Sequence, residues 1–154
     1  MSWDKEIEEM GHRSVLAEQL GGEDKVARQH EFGKLTIRER VDLIVDENSF
    51  HEVGKLAGVS EYDDDGNLQS FMPSNFIFGT AEIDGKPIVV SGDDFTVRGG
   101  SADASIAGKR MQAEGLAEEF RLPHIRLIDG MGAFLQQDLI LKSTSHAIPR
   151  FHCL

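Results

Sequence analysis

The stretch Gly92-Asp93-Asp94-Phe95-Thr96-Val97-Arg98-Gly99-Gly100-Ser101-Ala102-Asp103 decides how this chain is read. Just before it, Pro87-Ile88-Val89-Val90 is an apolar, β-branched run of the kind found in a buried strand, and after it Ala104 to Phe120 has a helical pattern. The chain therefore leaves a strand through glycines and enters a helix. A second glycine turn, Leu127-Ile128-Asp129-Gly130-Met131-Gly132, follows downstream. Glycine admits close backbone approach and the first N–H groups of a helix lack intrahelical partners, so such turns can hold anionic oxygen. An isolated glycine pair is also the mark of a plain strand-to-helix loop. The spacing matches neither the dinucleotide fingerprint G-x-G-x-x-G nor the phosphate loop ending in Gly-Lys-Ser/Thr, so both readings stand at this point.

With 154 residues, 40% apolar and 28% charged, the chain has one domain's worth of sequence and the composition of a globular protein. Lys and Arg total 16 against 27 Asp and Glu, and the net charge of −11 opposes non-specific binding to nucleic acid or to an anionic membrane. An anionic ligand would need a local basic patch. Arg98, Lys109 and Arg110 flank the glycine turn and are candidates for one; otherwise Lys109 and Arg110 are a solvated helix face. The single thiol, Cys153, permits no internal disulfide. No run approaches a membrane span, and the acid-rich start lacks the features of a secretory or transit peptide, so the expectation is cytoplasmic.

The first 20 residues read as an amphipathic docking helix with Trp3, Ile7, Met10, Leu16 and Leu20 on one stripe, stopped by Gly21-Gly22. Thr36 and Glu39 form a T-x-x-E capping box, which predicts a helix from Ile37 to about Val45 with Ile37, Val41 and Ile44 facing the core. Phe50 to Val53 reads as a short strand. Residues 60–74 are polar, with Asp63-Asp64-Asp65-Gly66 as a solvated turn, because the EF-hand ligand pattern and its closing Glu are missing. Asn75 to Ile83 and Lys86 to Ser91 flank Asp84-Gly85, a type I′ hairpin signal, with Phe76, Phe78 and Thr80 on one face and Ile77, Gly79 and Ala81 on the other.

Side-chain catalytic constellations are weak. The histidines at 12, 30, 51, 124, 146 and 152 form no H-E-x-x-H pair and no Cys/His spacing, so no metal is predicted. Gly99-Gly100-Ser101-Ala102 is not the G-x-S-x-G elbow, and Asp93-Asp94 reads as a turn or cap feature sooner than as a general base.

Four ordered blocks carry a longer resemblance: Gly33-Lys34-Leu35-Thr36-Ile37-Arg38-Glu39-Arg40, then Ser49-Phe50-His51-Glu52-Val53-Gly54, then Gly92 to Ser101, then Leu127-Ile128-Asp129-Gly130. Together they resemble the amino-terminal half of the carboxyltransferase subunit of biotin-dependent acyl-CoA carboxylases, from about Gly21 to Gly132. The resemblance implies an α/β, partial crotonase-like domain of ββα units preceded by amino-terminal helices. It divides the chain into a helical region (1–32), a partial carboxyltransferase amino-terminal domain (33–132) and a divergent tail (133–154).

The implied reaction moves a carboxyl group from carboxybiotin to the α-carbon of an acyl-CoA, and the same framework serves decarboxylases. Backbone N–H donors stabilise the developing charges, so side-chain acids are not essential. The resemblance places Gly99, Gly100, Ser101 and Ala102 at the acyl-CoA site and Gly132 and Ala133 at the thioester oxyanion turn; Arg98 meeting a CoA phosphate is an inference from charge. Implied partners are acyl-CoA, a biotin carboxylase and biotin carboxyl carrier subunit, on which biotin is carried, and further copies in a homo-oligomer. The resemblance fades after Gly132, where Asp138, Lys142 and Arg150 are the charged residues of a tail that is otherwise uncharged. This shift is read as a truncated or frameshifted frame, with a genuine short apolar helix as the alternative. The expectation is a chain inactive alone, against a non-catalytic acyl-CoA-binding or subunit-interaction module.

Overall fold

A computed structural model describes residues 3–100, 106 and 108–129. Helix α1 spans Asp4–Glu18, α2 Glu23–Glu31 and α3 Ile37–Asp42. Strands follow at His51–Glu52 (β1), Gly58–Tyr62 (β2), Leu68–Pro73 (β3), Phe76–Ile83 (β4) and Lys86–Asp93 (β5). A 3₁₀ turn at Arg98–Gly100, helix α4 at Lys109–Phe120 and strand β6 at His124–Leu127 complete the described chain.

The centre of the fold is the β4–β5 hairpin. Its two-residue turn has Asp84 at φ 51 and Gly85 at φ 67, the left-handed pair that lets a tight hairpin follow the twist of its strands. The carboxylate of Asp46 accepts from both turn N–H groups, at 3.0 Å from Asp84 and 2.7 Å from Gly85, and so ties the segment after α3 to the hairpin. Strand β1 adds antiparallel to β4 and β6 adds parallel to β5, giving the order β1-β4-β5-β6. Helix α4 is the crossover that a parallel pair requires. Strands β4 and β5 with α4 make one ββα unit.

Alternation along β4 divides the core between two faces. Ile77 and Ala81 join Ile88 and Val90 against Leu20, Ile37 and Val41 on one side, while Phe76 and Phe78 meet Ala113 and Leu116 of α4 on the other. Each fully buried large apolar side chain contributes about 1.5–3 kcal/mol, so the sheet is fixed by both layers. The cap on α3 is complete: Thr36 Oγ1 accepts from the Glu39 N–H at 3.3 Å, and Glu39 Oε2 accepts from the Thr36 N–H at 2.7 Å. His30 also binds the Glu39 carboxylate, and this contact with the Thr36 bonds holds that carboxyl below its ordinary pKa.

Four expectations change. Helix α1 forms, but Trp3, Ile7 and Met10 are exposed, and the helix docks through Arg13, Leu16, Ala17 and Leu20 on an adjacent stripe. Arg13 lies 5.6 Å from the Tyr62 ring and 6.0 Å from the Phe71 ring, which seats α1 on a second, two-stranded sheet formed by β2 and β3. That sheet occupies the region read as merely polar; its Asp63–Gly66 turn is present, with Asp63 Oδ1 accepting from the N–H groups of Asp65 and Asn67. Helix α3 ends at Asp42 rather than Val45. Helix α4 begins at Lys109 rather than Ala104, because Gly108 sits at φ 86, which no right-handed helix can pass through.

Candidate functional site

Helix α2, which the sequence reading did not separate from the helical region, brings Lys25, Arg28 and Phe32 to one side at three- and four-residue spacing. Opposite them the chain leaving β5 presents Phe95, Arg98 and Gly99. Between the two lies a concavity of about 680 Å³, also lined by Gln29 and Lys34, which falls in the size range of small-molecule sites. Among the described residues, its charged lining is all cationic: Lys25, Arg28, Lys34 and Arg98. In a chain of net charge −11, this is the local basic patch that an anionic ligand needs.

The aromatic rings lie under the cations. The Arg28 guanidinium is 5.7 Å from the centre of the Phe32 ring, and Lys34 Nζ is 5.2 Å from the centre of Phe95. A phosphate-bearing ligand with a flat base would meet charge and ring faces together.

The turn after β5 is fixed from behind. Asp94 Oδ1 accepts from the Thr96 N–H at 2.9 Å and from Thr96 Oγ1 at 2.7 Å, and that hydroxyl accepts from the Gly21 N–H at 2.9 Å. Asp94 is 1% exposed, and desolvation raises its carboxyl pKa against these hydrogen bonds. Asp93, 4% exposed, is paired with Arg110 at 2.6 Å and with Arg126 at 3.8 Å. The acidic pair is thus a cap and an ion-pair anchor, as its place at a strand end indicates. Arg98, Gly99 and Gly100 then take successive left-handed conformations at φ 51, 64 and 66. For Arg98 this region is unfavourable, so the turn is held by its surroundings.

Arg98 and Gly99 line the concavity, whereas Gly100 is buried behind them and donates its N–H to the Val97 carbonyl at 3.1 Å. Ser101, Ala102, Gly132 and Ala133 lie outside the described residues. The proposed patch of Arg98, Lys109 and Arg110 does not form, and the solvated helix face offered as its alternative does not form either. Lys109 is 4% exposed, in a small polar pocket with Arg38, Glu52 and Asp94, and burial pushes its ammonium pKa down to about 8 despite the neighbouring Glu52. Arg110 is engaged by Asp93 and lies 5.5 Å from the Phe76 ring. The cations that replace them, Lys25, Arg28 and Lys34, were missed; the signal for the first two was the helical spacing of Lys25, Arg28 and Phe32 after the Gly21-Gly22 break.

A hairpin followed by a crossover helix, with a basic concavity where the chain leaves the hairpin, defines an α/β protein of crotonase-like fold. The chain belongs to the carboxyl transferase domain family, whose pattern matches residues 28–148. Among its relatives, the propionyl-CoA carboxylase carboxyltransferase subunit of Haloferax mediterranei is 34% identical over 138 residues, covering 89% of this chain and 27% of the relative. The propionyl-CoA carboxylase beta chain of Roseobacter denitrificans is 35% identical over 133 residues, covering 85% and 26%. In three dimensions the chain matches the transcarboxylase 12S hexamer core, solved with methylmalonyl-coenzyme A bound, with a TM-score of 0.72 at 28% identity over 90% of this chain and 27% of that one. The chain therefore spans about a quarter of the length of these relatives. No helix among the described residues is long and apolar enough to cross a membrane.

Proposed function

We propose that this chain is the acyl-CoA-binding, amino-terminal part of the carboxyltransferase component of a biotin-dependent acyl-CoA carboxylase, working in the cytoplasm. The observation that carries the reading is the concavity: four cations, two of them (Arg28 and Lys34) each over a phenyl ring, beside the glycine turn that leaves β5. Those groups suit the phosphates and base of CoA. The described residues are accordingly assigned to CoA.

When bound on its carrier subunit, biotin supplies the activated carboxyl group. This chain's part is to hold the nucleotide end of acyl-CoA at Lys25, Arg28, Lys34 and Arg98, with Gly99, Gly100, Ser101 and Ala102 assigned by the resemblance to the same acyl-CoA site and the second glycine turn, at Gly132 and Ala133, to the thioester. There the backbone N–H groups of Gly132 and Ala133 would stabilise the thioester oxyanion as the α-carbon becomes nucleophilic. In the transfer the α-carbon would lose a proton and gain the carboxyl group: the C–C bond would form as the N–C bond of carboxybiotin breaks, and the α-proton would end on the ureido nitrogen so released. Preorganised donors of this kind contribute most where water is excluded, which fits a site completed by further copies of the enzyme. Alone, the chain binds acyl-CoA and transfers nothing. A non-catalytic acyl-CoA-binding or subunit-interaction module is the second reading, and it shares the same concavity.

Titration calorimetry with CoA, 3′-dephospho-CoA and propionyl-CoA tests this. Saturable binding at submillimolar CoA, weakened by loss of the 3′-phosphate, is expected. No binding of any acyl-CoA at millimolar ligand would sink the catalytic reading and the acyl-CoA-binding module, leaving subunit interaction alone. Joining the chain to the remaining three quarters of a relative's carboxyltransferase separates them: transfer dependent on a biotinylated carrier supports the catalytic reading, and binding without transfer supports the module.

A further inference from the structure

The basic concavity has a competitor for its cations just behind its lining. Asp129, two residues beyond the end of β6, turns its carboxylate to the cations from outside the lining: Oδ1 is 3.8 Å from Lys34 Nζ, and Oδ2 is 3.9 Å from Arg40 Nη1 and accepts from Gln29 Nε2 at 3.3 Å. Lys34 and Gln29 are also lining residues, and Lys34 sits over Phe95 within the concavity. One ammonium thus serves two places, the ring on the ligand side and the carboxylate behind it.

We propose that Asp129 is a specificity-determining residue: an internal counter-anion that shares Lys34 with the phosphate of the incoming ligand and holds down the affinity of the concavity for bare anions. This rests on reading the concavity as a phosphate site. The physical argument is direct. At separations near 4 Å and with side-chain exposures of 53% for Lys34 and 23% for Asp129, the pair is weak enough to be displaced yet close enough to lower the local positive potential. A small anion that brings only charge must outcompete Asp129 for Lys34. A nucleotide ligand adds ring contacts with Phe32 and Phe95, which the carboxylate does not oppose. Both ligands meet the same competition at Lys34, and the ring contacts let a ligand with a base offset it, so free phosphate or pyrophosphate is the one kept from occupying the site.

The test uses the whole chain, with pyrophosphate and CoA as probes, at low and high salt. Asp129→Asn keeps an acceptor for Gln29 and removes the charge; it is expected to bind pyrophosphate about two- to fivefold tighter at low salt, with the gain lost at high salt. Asp129→Glu, which keeps the charge, should bind as wild type. In a Lys34→Ala background the Asn substitution should give a much smaller gain, because the shared cation is gone. A purely structural role for Asp129 predicts equal or weaker binding by Asp129→Asn, and that result overturns the proposal, as does a gain that survives high salt. If no CoA binds but the salt-dependent gain for pyrophosphate is present, the acyl-CoA reading fails and the counter-anion role stands. If CoA binds and Asp129→Asn changes neither probe, the converse holds.

Discussion

Gly21 lies directly beneath Thr96: its N–H donates to Thr96 Oγ1 at 2.9 Å, and a Cβ built at position 21 would fall far inside van der Waals contact with the Thr96 carbonyl group. The end of the first helix and the glycine-rich turn are therefore packed backbone to backbone. Asp94 closes the arrangement by accepting from the same Thr96 hydroxyl.

Because that approach leaves no room for a methyl group, Gly21→Ala should force the two segments apart. The expected cost is about 1–3 kcal/mol of stability, the range for overpacking a tight contact. Denaturant unfolding checks it, and CoA binding by the folded fraction should weaken as well. A variant with unchanged stability would show that the approach is looser than described.

Lys109 gives a pH signature. Its folded pKa is about 8 against an ordinary value of 10.5, so between these values the unfolded chain binds more protons, and stability rises with pH. Below pH 8 the buried ammonium carries its full desolvation cost. From pH 7.5 to 9.5 this group alone should add roughly 2 kcal/mol, from the conversion of about 1.4 kcal/mol per pH unit. Lys109→Met removes the titrating group, so the wild-type rise in urea midpoint over that window should be absent from the variant. Parallel pH profiles for the two proteins would count against a strongly buried ammonium.

The cations of the concavity should act through charge. Lys25→Gln and Arg28→Gln, both at exposed positions, should each weaken CoA binding by about two- to fivefold at low salt and flatten its salt dependence. Neither should change the unfolding free energy by more than about 0.5 kcal/mol. Equal CoA affinity in wild type and the double variant would remove the ligand from this concavity.

The parts of the fold that sequence made legible are those set by neighbours along the chain. Asp84-Gly85 between alternating apolar runs specifies a hairpin locally, and Thr36 with Glu39 specifies a helix start in the same way. Arg98 and Gly99, which line the concavity, stand out in one dimension because they belong to the glycine turn. Lys25, Arg28 and Lys34 were missed because their relation to Arg98 exists only after α2 folds against the chain leaving β5. Lys109 was misread for a related reason: nothing in a run of letters distinguishes a solvated lysine from one facing Arg38 and Glu52. The β2–β3 sheet was hidden by its polarity, since its cover is a guanidinium from α1 lying against two rings rather than an apolar stripe.

The tight turn at Asp84-Gly85 also orders events in time. Strands β4 and β5 meet across two residues, whereas β6 reaches β5 only after the whole α4 crossover, and β1 reaches β4 from well upstream. Loop closure makes the long-range pairings slow relative to the local one. The sheet should therefore assemble from its middle strands outward, with amides of β4 and β5 gaining protection before those of β6 in pulse-labelled hydrogen exchange. On a ribosome, the scaffold that positions the turn after β5 would be in place before the second glycine turn has left the exit tunnel.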